Sequence, residues 1–523
     1  MLKKLNENWR YLLVIPLFFT ALCTAYLQHN GISITRPEAL YSYLLLLLLG
    51  LTPSAIMVFS GTALRLLILS GLLFLFLLSQ LKAVPVLPFG LKYRYSAPFI
   101  VMGLMAVLYC IREKLDKLLL IVFTVFWVGA FFTAKTPPFS IKQFHSTQGN
   151  SQLPPYIEIV LDEQIGIAGG TLLEDKKADY FSRELINDYV KKDFTVYGQA
   201  YSRDFQTLSS FASFLNFKPL DQLDDYLLQE KGMNLITKNK LFELLSKQGY
   251  AINVLQSTYV DLCTYRKNVN IKKCNTYNYA TPISSPLVSV REKSIAMIHD
   301  IFSTVPLMDK LSHKILFILF PGNKKETVVE ASTATYKIFP EILKLAKEAE
   351  PGNAYFIHLL MPHYPYVFNA NCEYMGDRGK TSATYIDQIK CTHKMMGEFL
   401  AVLASNPATR NSTIIIHGDH GFRTPKPSGK KSYSFTPINI TKTYNTFFAV
   451  KSPSHKPGYN STQLPIDFLL KNILTQHEPV FYNPKKQFVY LRSDKRTDKP
   501  FDRGIFLISQ TNTRKEIDGS LIN

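Results

Sequence analysis

The run Thr413-Ile-Ile-Ile-His-Gly-Asp-His-Gly421 holds the densest chemistry in the chain. Its β-branched stretch predicts a buried strand that delivers His417, Asp419 and His420 at its carboxyl end, where Gly418 and Gly421 permit a tight turn. Asp and His side by side suit a divalent ion that takes mixed oxygen and nitrogen ligands; a surface turn rich in histidine is the plainer reading. A second predicted strand, Tyr156–Leu161, ends in Asp162-Glu163. Adjacent carboxylates directly after a buried strand are costly without a counter-charge, which a metal ion supplies; a solvated loop or a helix cap is the alternative. The stretch Ala200–Leu215 reads as an extended segment turning into a helix near Thr207. A hydroxyl there lies beside free backbone N–H groups and the positive end of the helix dipole, a place for a nucleophile and an anionic phosphoryl or sulfuryl group. Taken alone, Thr207 reads equally as an N-cap. Finally, His358-Leu-Leu-Met-Pro-His-Tyr-Pro-Tyr366 sets His358 in a strand and His363 on a proline-braced turn, where an imidazole can hold a phosphoryl oxygen or protonate a leaving group. Arg423, His417 and His393 complete the set as candidate substrate contacts, Arg423 for an anion.

Short apolar runs alternating with helical patterns must position these residues. Strands are expected at Tyr156–Leu161, Tyr250–Leu255, Ala354–Leu360, Thr413–His417 and Thr446–Val450, and helices at 182–191, 239–248, 338–349, 384–404 and 465–475. That alternation predicts an α/β domain with a mostly parallel central sheet, whose site lies at the carboxyl ends of the strands.

The first part of the chain is of another kind. Uncharged runs at 11–28, 39–64, 66–81, 95–111 and 118–134 predict an all-α transmembrane bundle of about five helices. Lys3, Lys4, Arg10, Arg65, Arg112, Lys114 and Lys117 place the N-terminus and two loops inside. Arg36, then Lys82, Lys92 and Arg94, fall in the intervening loops and moderate the bias. An odd number of spans then puts everything after residue 134 outside, in the periplasm or extracytoplasmic space. The organisation expected is a transmembrane domain over 1–134, a linker over 135–152 marked by Pro137 and Pro138, and a catalytic domain over 153–523. The spans carry no ionisable residue near their middles, which argues against a pore or transporter.

The net charge is +19 over 523 residues, and the surplus persists beyond residue 150. In a chain with long apolar runs it fits anionic lipid or a phosphorylated glycan rather than nucleic acid. Four of the six cysteines form two sequence-near pairs in the domain placed outside, so disulfides Cys263–Cys274 and Cys372–Cys391 are expected, with four unpaired buried thiols as the alternative.

Together these segments resemble the alkaline phosphatase/sulfatase superfamily over roughly residues 153–480. Asp162-Glu163 falls on the first metal-binding acidic residues, Thr207 on the nucleophile, Met361-Pro-His-Tyr-Pro-Tyr366 on a Pro-His-x-Pro motif and Gly418-Asp-His-Gly421 on the second metal motif. Leu241–Tyr250 resembles the helix before a central strand. True sulfatases oxidise a Cys or Ser in a Cys/Ser-x-Pro-x-Arg motif, whereas this chain has Thr207-Leu-Ser-Ser-Phe211. The threonine resembles the membrane-anchored phosphoethanolamine and phosphoglycerol transferases. Those usually carry Gly-Glu where this chain has Asp162-Glu163; alignment favours Glu163 as the ligand, and both remain candidates. The resemblance implies a metal set of Asp162 and/or Glu163, Thr207, Asp419 and His420. It further implies catalytic Thr207, His363 and His358, and a divalent ion, zinc or manganese ahead of calcium or magnesium. A phospholipid donor and an anionic envelope glycan or lipid acceptor follow, with phosphodiesterase or atypical sulfatase chemistry, or a non-catalytic lipid-binding regulator, as rivals.

Overall fold

The computed structural model describes residues 8–29, 32–80, 93–132, 139–144, 146–218, 225–230, 233–278, 289–303, 331–376, 378–423, 437–475, 489–493, 504–508 and 514–517. Lys3, Lys4, Lys82, Lys92, Pro137 and Pro138, used above for orientation and for the linker, lie outside the described residues. The chain forms two compact units: residues 1–138 with 281–328, and residues 139–280 with 329–523.

In the first unit, apolar helices run over Tyr11–His29, Pro37–Phe59, Thr62–Gln80, Tyr93–Cys110 and Leu115–Ala130. Among the described residues, Tyr11–His29 and Pro37–Phe59 are long and apolar enough to cross a bilayer, while Thr62–Phe74 and Pro98–Cys110 are shorter apolar stretches. The break after Phe59 has a local cause: the Arg65 guanidinium donates to the Met57 carbonyl at 2.7 Å and the Val58 carbonyl at 3.1 Å, satisfying the last turn of the preceding helix. A further helix, Val290–Ser303, comes from far along the chain, inside the stretch expected to be catalytic domain. Tyr26 donates to Asp300 at 2.8 Å, and the buried Glu38 lies 2.5 Å from Arg36 and 3.9 Å from Lys293. A charged group so placed needs partners, because burying it alone is prohibitive.

The second unit is built on a nine-stranded sheet. Its strands are β1 (Phe139–Gln143), β2 (Tyr156–Leu161), β3 (Thr195–Tyr201), β4 (Ala251–Ser257), β5 (Ile271–Tyr277), β6 (Asn353–Leu359), β7 (Thr413–Gly418), β8 (Phe448–Lys451) and β9 (Gly458–Pro465). The order is β1-β5-β4-β6-β2-β7-β8-β3-β9. Strands β5, β4, β6, β2 and β7 pair in parallel, as do β3 and β9. Strands β1 and β8 run antiparallel to their neighbours. Every residue of β2 and of β6 is buried, the pattern of a strand covered on both faces. Part of the segment expected as linker, Phe139–Gln143, is therefore an edge strand. Helices Lys240–Gln248, Ala331–Lys347, Ser382–Ser405 and Ile466–Thr475 occupy the expected regions. The first of these starts where Asn239 accepts from the Phe242 N–H at 3.0 Å. The Cys263–Cys274 and Cys372–Cys391 disulfides are both present.

Candidate active site

The turns after β2 and β7 lie side by side because the two strands pair in parallel, Leu161 beside Gly418. Gly418 has no room for a side chain: a Cβ there would fall 2.3 Å from Thr446 Oγ1 and 2.4 Å from the Gln164 carbonyl. The chain turns sharply, and Asp419 Oδ1 accepts from the Glu163 N–H and from the His420 N–H, each at 2.8 Å. His420 Nδ1 is 2.8 Å from the Gly421 carbonyl; a carbonyl can only accept, so Nδ1 carries the hydrogen and Nε2 presents a lone pair. Asp419 Oδ2 and His420 Nε2 are 3.5 Å apart, buried, and neither has a hydrogen-bond partner. Asp162, Asp419 and His420 each offer a ligand atom, all within 4.8 Å of one another. A carboxylate oxygen of Asp419 and an imidazole nitrogen of His420, buried and left open by the protein beside the Asp162 carboxylate, fit a divalent cation.

Thr207 begins the helix Thr207–Phe214, and Gln206, not Thr207, is its N-cap residue. The Thr207 hydroxyl is therefore not used to cap the helix; it faces Asp162 Oδ1 at 3.4 Å. One turn on, Ser210 donates to the Asp419 carbonyl at 2.5 Å and lies 2.9 Å from Ser202 Oγ, tying the helix to the metal-side turn. Just before the helix, Arg203 Nε is 2.9 Å from both carboxylate oxygens of Asp467. The buried start of the helix, with its first-turn N–H groups and the positive end of its dipole, thus lies beside Asp162.

Asp162 and Glu163 do different work. Asp162 joins Asp419 and His420, and His358 Nε2 stands 3.7 Å from its Oδ2. Glu163, at φ +62°, turns its carboxylate away to Lys380 Nζ at 3.4 Å, the Arg423 N–H at 3.2 Å and the Tyr364 N–H at 3.2 Å. Arg423 in turn donates to His363 Nε2 at 2.8 Å, and His363 Nδ1 bonds the Tyr364 carbonyl. Burial pushes the Asp162 carboxyl up, but His363 and His358 outweigh it and hold the group down at about 2. For Glu163 burial again raises, and Lys380 and Arg423 bring the group well below the usual carboxylate range. The Asp419 carboxyl is raised, by burial first, against the pull of His420. The structure thus gathers Asp162, Thr207, Asp419, His420 and His358 around one point, with Glu163, His363 and Arg423 beside it.

Two residues expected at the substrate site are not brought there. His417 is fully buried within the sheet core, 3.1 Å from Glu158 Oε1, and Glu158 also takes the Tyr156 hydroxyl. His393 sits on the helix Ser382–Ser405, with Nδ1 2.9 Å from the Tyr189 hydroxyl and its ring edge-on to Phe447. Sequence reasoning missed Lys380 and Ser210. Nothing local marks Lys380, a loop lysine 217 residues from its partner Glu163. Ser210 was recoverable, since it lies one helical turn after Thr207 on the same face.

Residues 159–475, more than half of the chain, match the sulfatase family. The chain belongs to that family, and with it to the alkaline phosphatase superfamily of enzymes acting on sulfate and phosphate esters. Similar solved structures include BT1596, a 2-O GAG sulfatase, at 14% identity and TM-score 0.44, over 68% of this chain and 81% of that one. A protein in the alkaline phosphatase superfamily from Vibrio parahaemolyticus is 12% identical with TM-score 0.42, over 71% and 84%. The C-terminal periplasmic domain of EcEptC from Escherichia coli is 13% identical with TM-score 0.37, over 72% and 96%. No curated protein matches the chain.

Proposed function

We propose that the protein transfers a phospholipid-derived phospho-group, phosphoethanolamine or phosphoglycerol, to an envelope glycan or lipid, through a covalent intermediate on Thr207. The observation that carries the reading is the Thr207 hydroxyl, released from helix capping and aimed at Asp162 among the open ligands Asp419 and His420. Asp162, Asp419 and His420 would hold the divalent ion, zinc or manganese by their mixed donors, which supplies positive charge that lowers the pKa of a nearby hydroxyl. Thr207 Oγ1 bonds to phosphorus, and the bond from phosphorus to the lipid glycerol oxygen breaks. His358, whose two ring nitrogens have no hydrogen-bond partner among the described residues, carries the Thr207 proton to that oxygen and diacylglycerol leaves, while His363 holds Arg423 in place. An acceptor hydroxyl then bonds to phosphorus, its proton returns by the same route, and the Thr207 oxygen departs. Arg423 and Lys380 offer cations for the phosphoryl oxygens.

Five helical spans with the second unit outside the membrane suit this reaction, because the donor never leaves the bilayer. Membership of the sulfatase family favours hydrolysis of a sulfate or phosphate ester as the second reading, with water as the acceptor. Mass spectrometry of the protein incubated with phospholipid tests the first: the expected result is an added phospho-group on Thr207, absent from Thr207→Ala, which has lost turnover. Full activity in Thr207→Ala sinks both readings.

A further inference from the structure

A cavity of about 300 Å³ opens at the β1–β5–β4 end of the sheet. Its floor follows from strand geometry. Alternate residues of neighbouring strands project to one face, and the registers Ser140↔Thr276 and Thr276↔Gln256 align a polar row across β1, β5 and β4. The next strand inward is β6, where the register that pairs Leu255 with Ile357 brings Gln256 level with His358. The row Ser140, Thr276, Gln256, His358 therefore leads from the sheet edge to the histidine beside Asp162. It lies on the face covered by the Thr207 helix, since Phe211 of that helix packs on Phe356 and His358. Two strand spacings, on the order of 10 Å, separate β4 from β2, whose end carries Asp162.

The lining has a defined chemistry. Lys142 and Arg266 bring positive charge, and neither is ion-paired among the described residues. The Arg266 guanidinium lies 3.9 Å over the Phe144 ring, which fixes its plane. The lining carboxylate, Asp261, is already engaged: it accepts from the Cys263 N–H at 2.7 Å, the Thr264 N–H at 3.1 Å and the Thr264 hydroxyl at 2.6 Å. Ser140, Ser257 and Thr258 line the same space. Hydroxyl donors and acceptors, one aromatic ring and two cations are the complement of a sugar carrying an anionic group. The volume, at the lower end of the roughly 300–1,000 Å³ of ligand pockets, suits one sugar residue.

We propose that this cavity is the acceptor subsite and takes one phosphorylated sugar residue; the assignment as acceptor rests on the transfer reading above, while the binding chemistry does not. The test uses the full chain in detergent carrying Thr207→Ala, so that no turnover intervenes, and calorimetry with glucose 6-phosphate, glucose and inorganic phosphate. Glucose 6-phosphate is expected to bind, and Lys142→Ala and Arg266→Ala each to weaken it tenfold or more. Arg266→Lys, which keeps a cation over Phe144, should recover part of the loss. No binding of glucose 6-phosphate, or binding unchanged in both alanine variants, overturns the proposal. With Thr207 intact, transfer to a soluble phosphorylated oligosaccharide identifies a free glycan acceptor, and transfer only to a phosphorylated glycolipid in mixed micelles identifies a lipid-borne one. Transfer to either that is undiminished in the two alanine variants overturns the assignment. Should Thr207→Ala retain turnover, the transfer reading falls alone, and the calorimetry still decides the cavity.

Discussion

The Glu163 backbone N–H donates to Asp419 Oδ1 at 2.8 Å, so the turns after two neighbouring parallel strands form one unit. The main chain of Glu163 serves the metal-side carboxylate, while its side chain serves the cations Lys380 and Arg423. Asp162 and Glu163 are adjacent in sequence and separate in role. Replacing either carboxylate by its amide should therefore give different outcomes. Asp162→Asn is expected to lose the bound divalent ion, as measured by elemental analysis of the purified protein. Glu163→Gln should keep the ion, since its backbone contact survives, and should impair turnover. Loss of metal in Glu163→Gln with retention in Asp162→Asn would reverse the assignment made here.

Lys380 is the cation that sequence reasoning did not find. Its ammonium is 3.4 Å from Glu163 and 5.7 Å from the centre of the Tyr364 ring, at the edge of the site. A hydrogen bond to a charged group contributes about 1.5–3 kcal/mol. Lys380→Ala should raise KM for the donor roughly tenfold to a hundredfold on that basis, with metal content unchanged. Steady-state kinetics with a phosphodiester donor reads this directly, and an unaltered KM removes Lys380 from substrate binding.

How far the sequence reaches can be judged from particular residues. Asp419, His420 and Thr207 were legible because each sits in a contiguous run whose strand or helix sets its direction. His417 was misread through the same run. It lies within β7 and projects with Ile415 into the core beside Glu158, whereas the chain turns after Gly418 and re-aims Asp419. β3 was missed because Gly198 dilutes its pattern. The Tyr459 ring end lies over that glycine, and a Cβ there would fall 2.0 Å from the Tyr459 hydroxyl, so a side chain would displace the ring. The helix Val290–Ser303 was not assigned to the first unit because it mixes charged and apolar residues. Its partners, Glu38 for Lys293 and Tyr26 for Asp300, lie more than 250 residues away. Contacts of that kind leave no local periodicity to read.

His393 offers a pH test away from the metal-side turn. Burial first, and Lys192 second, hold its imidazole down at about 3 from the ordinary 6.5. The folded state keeps the ring neutral where the unfolded chain takes a proton. The associated stability is complete above about pH 6.5 and is lost as the pH falls toward 3. His393→Phe removes this dependence while filling the space among Tyr189 and Phe447. The thermal midpoint of the variant, followed by near-ultraviolet circular dichroism, should fall less between neutral and mildly acid pH than that of the parent. Parallel slopes would show that the ring titrates alike in both states.

The Cys263–Cys274 bridge closes a loop whose ends are 11 residues apart, and the same loop walls the cavity at the sheet edge. A loop of that size restricts the unfolded chain enough for the bridge to contribute about 2–4 kcal/mol. Cys274 also belongs to β5, paired with Lys142 of the edge strand, so the bridge fastens the cavity wall to its floor. The double variant Cys263→Ser/Cys274→Ser should lower the thermal midpoint by several degrees. It should also weaken glucose 6-phosphate binding more than it lowers metal content, because the metal-side turns stand on β2 and β7, which the bridge does not touch. Equal losses of sugar binding and metal would mean that the bridge supports the whole domain rather than this edge.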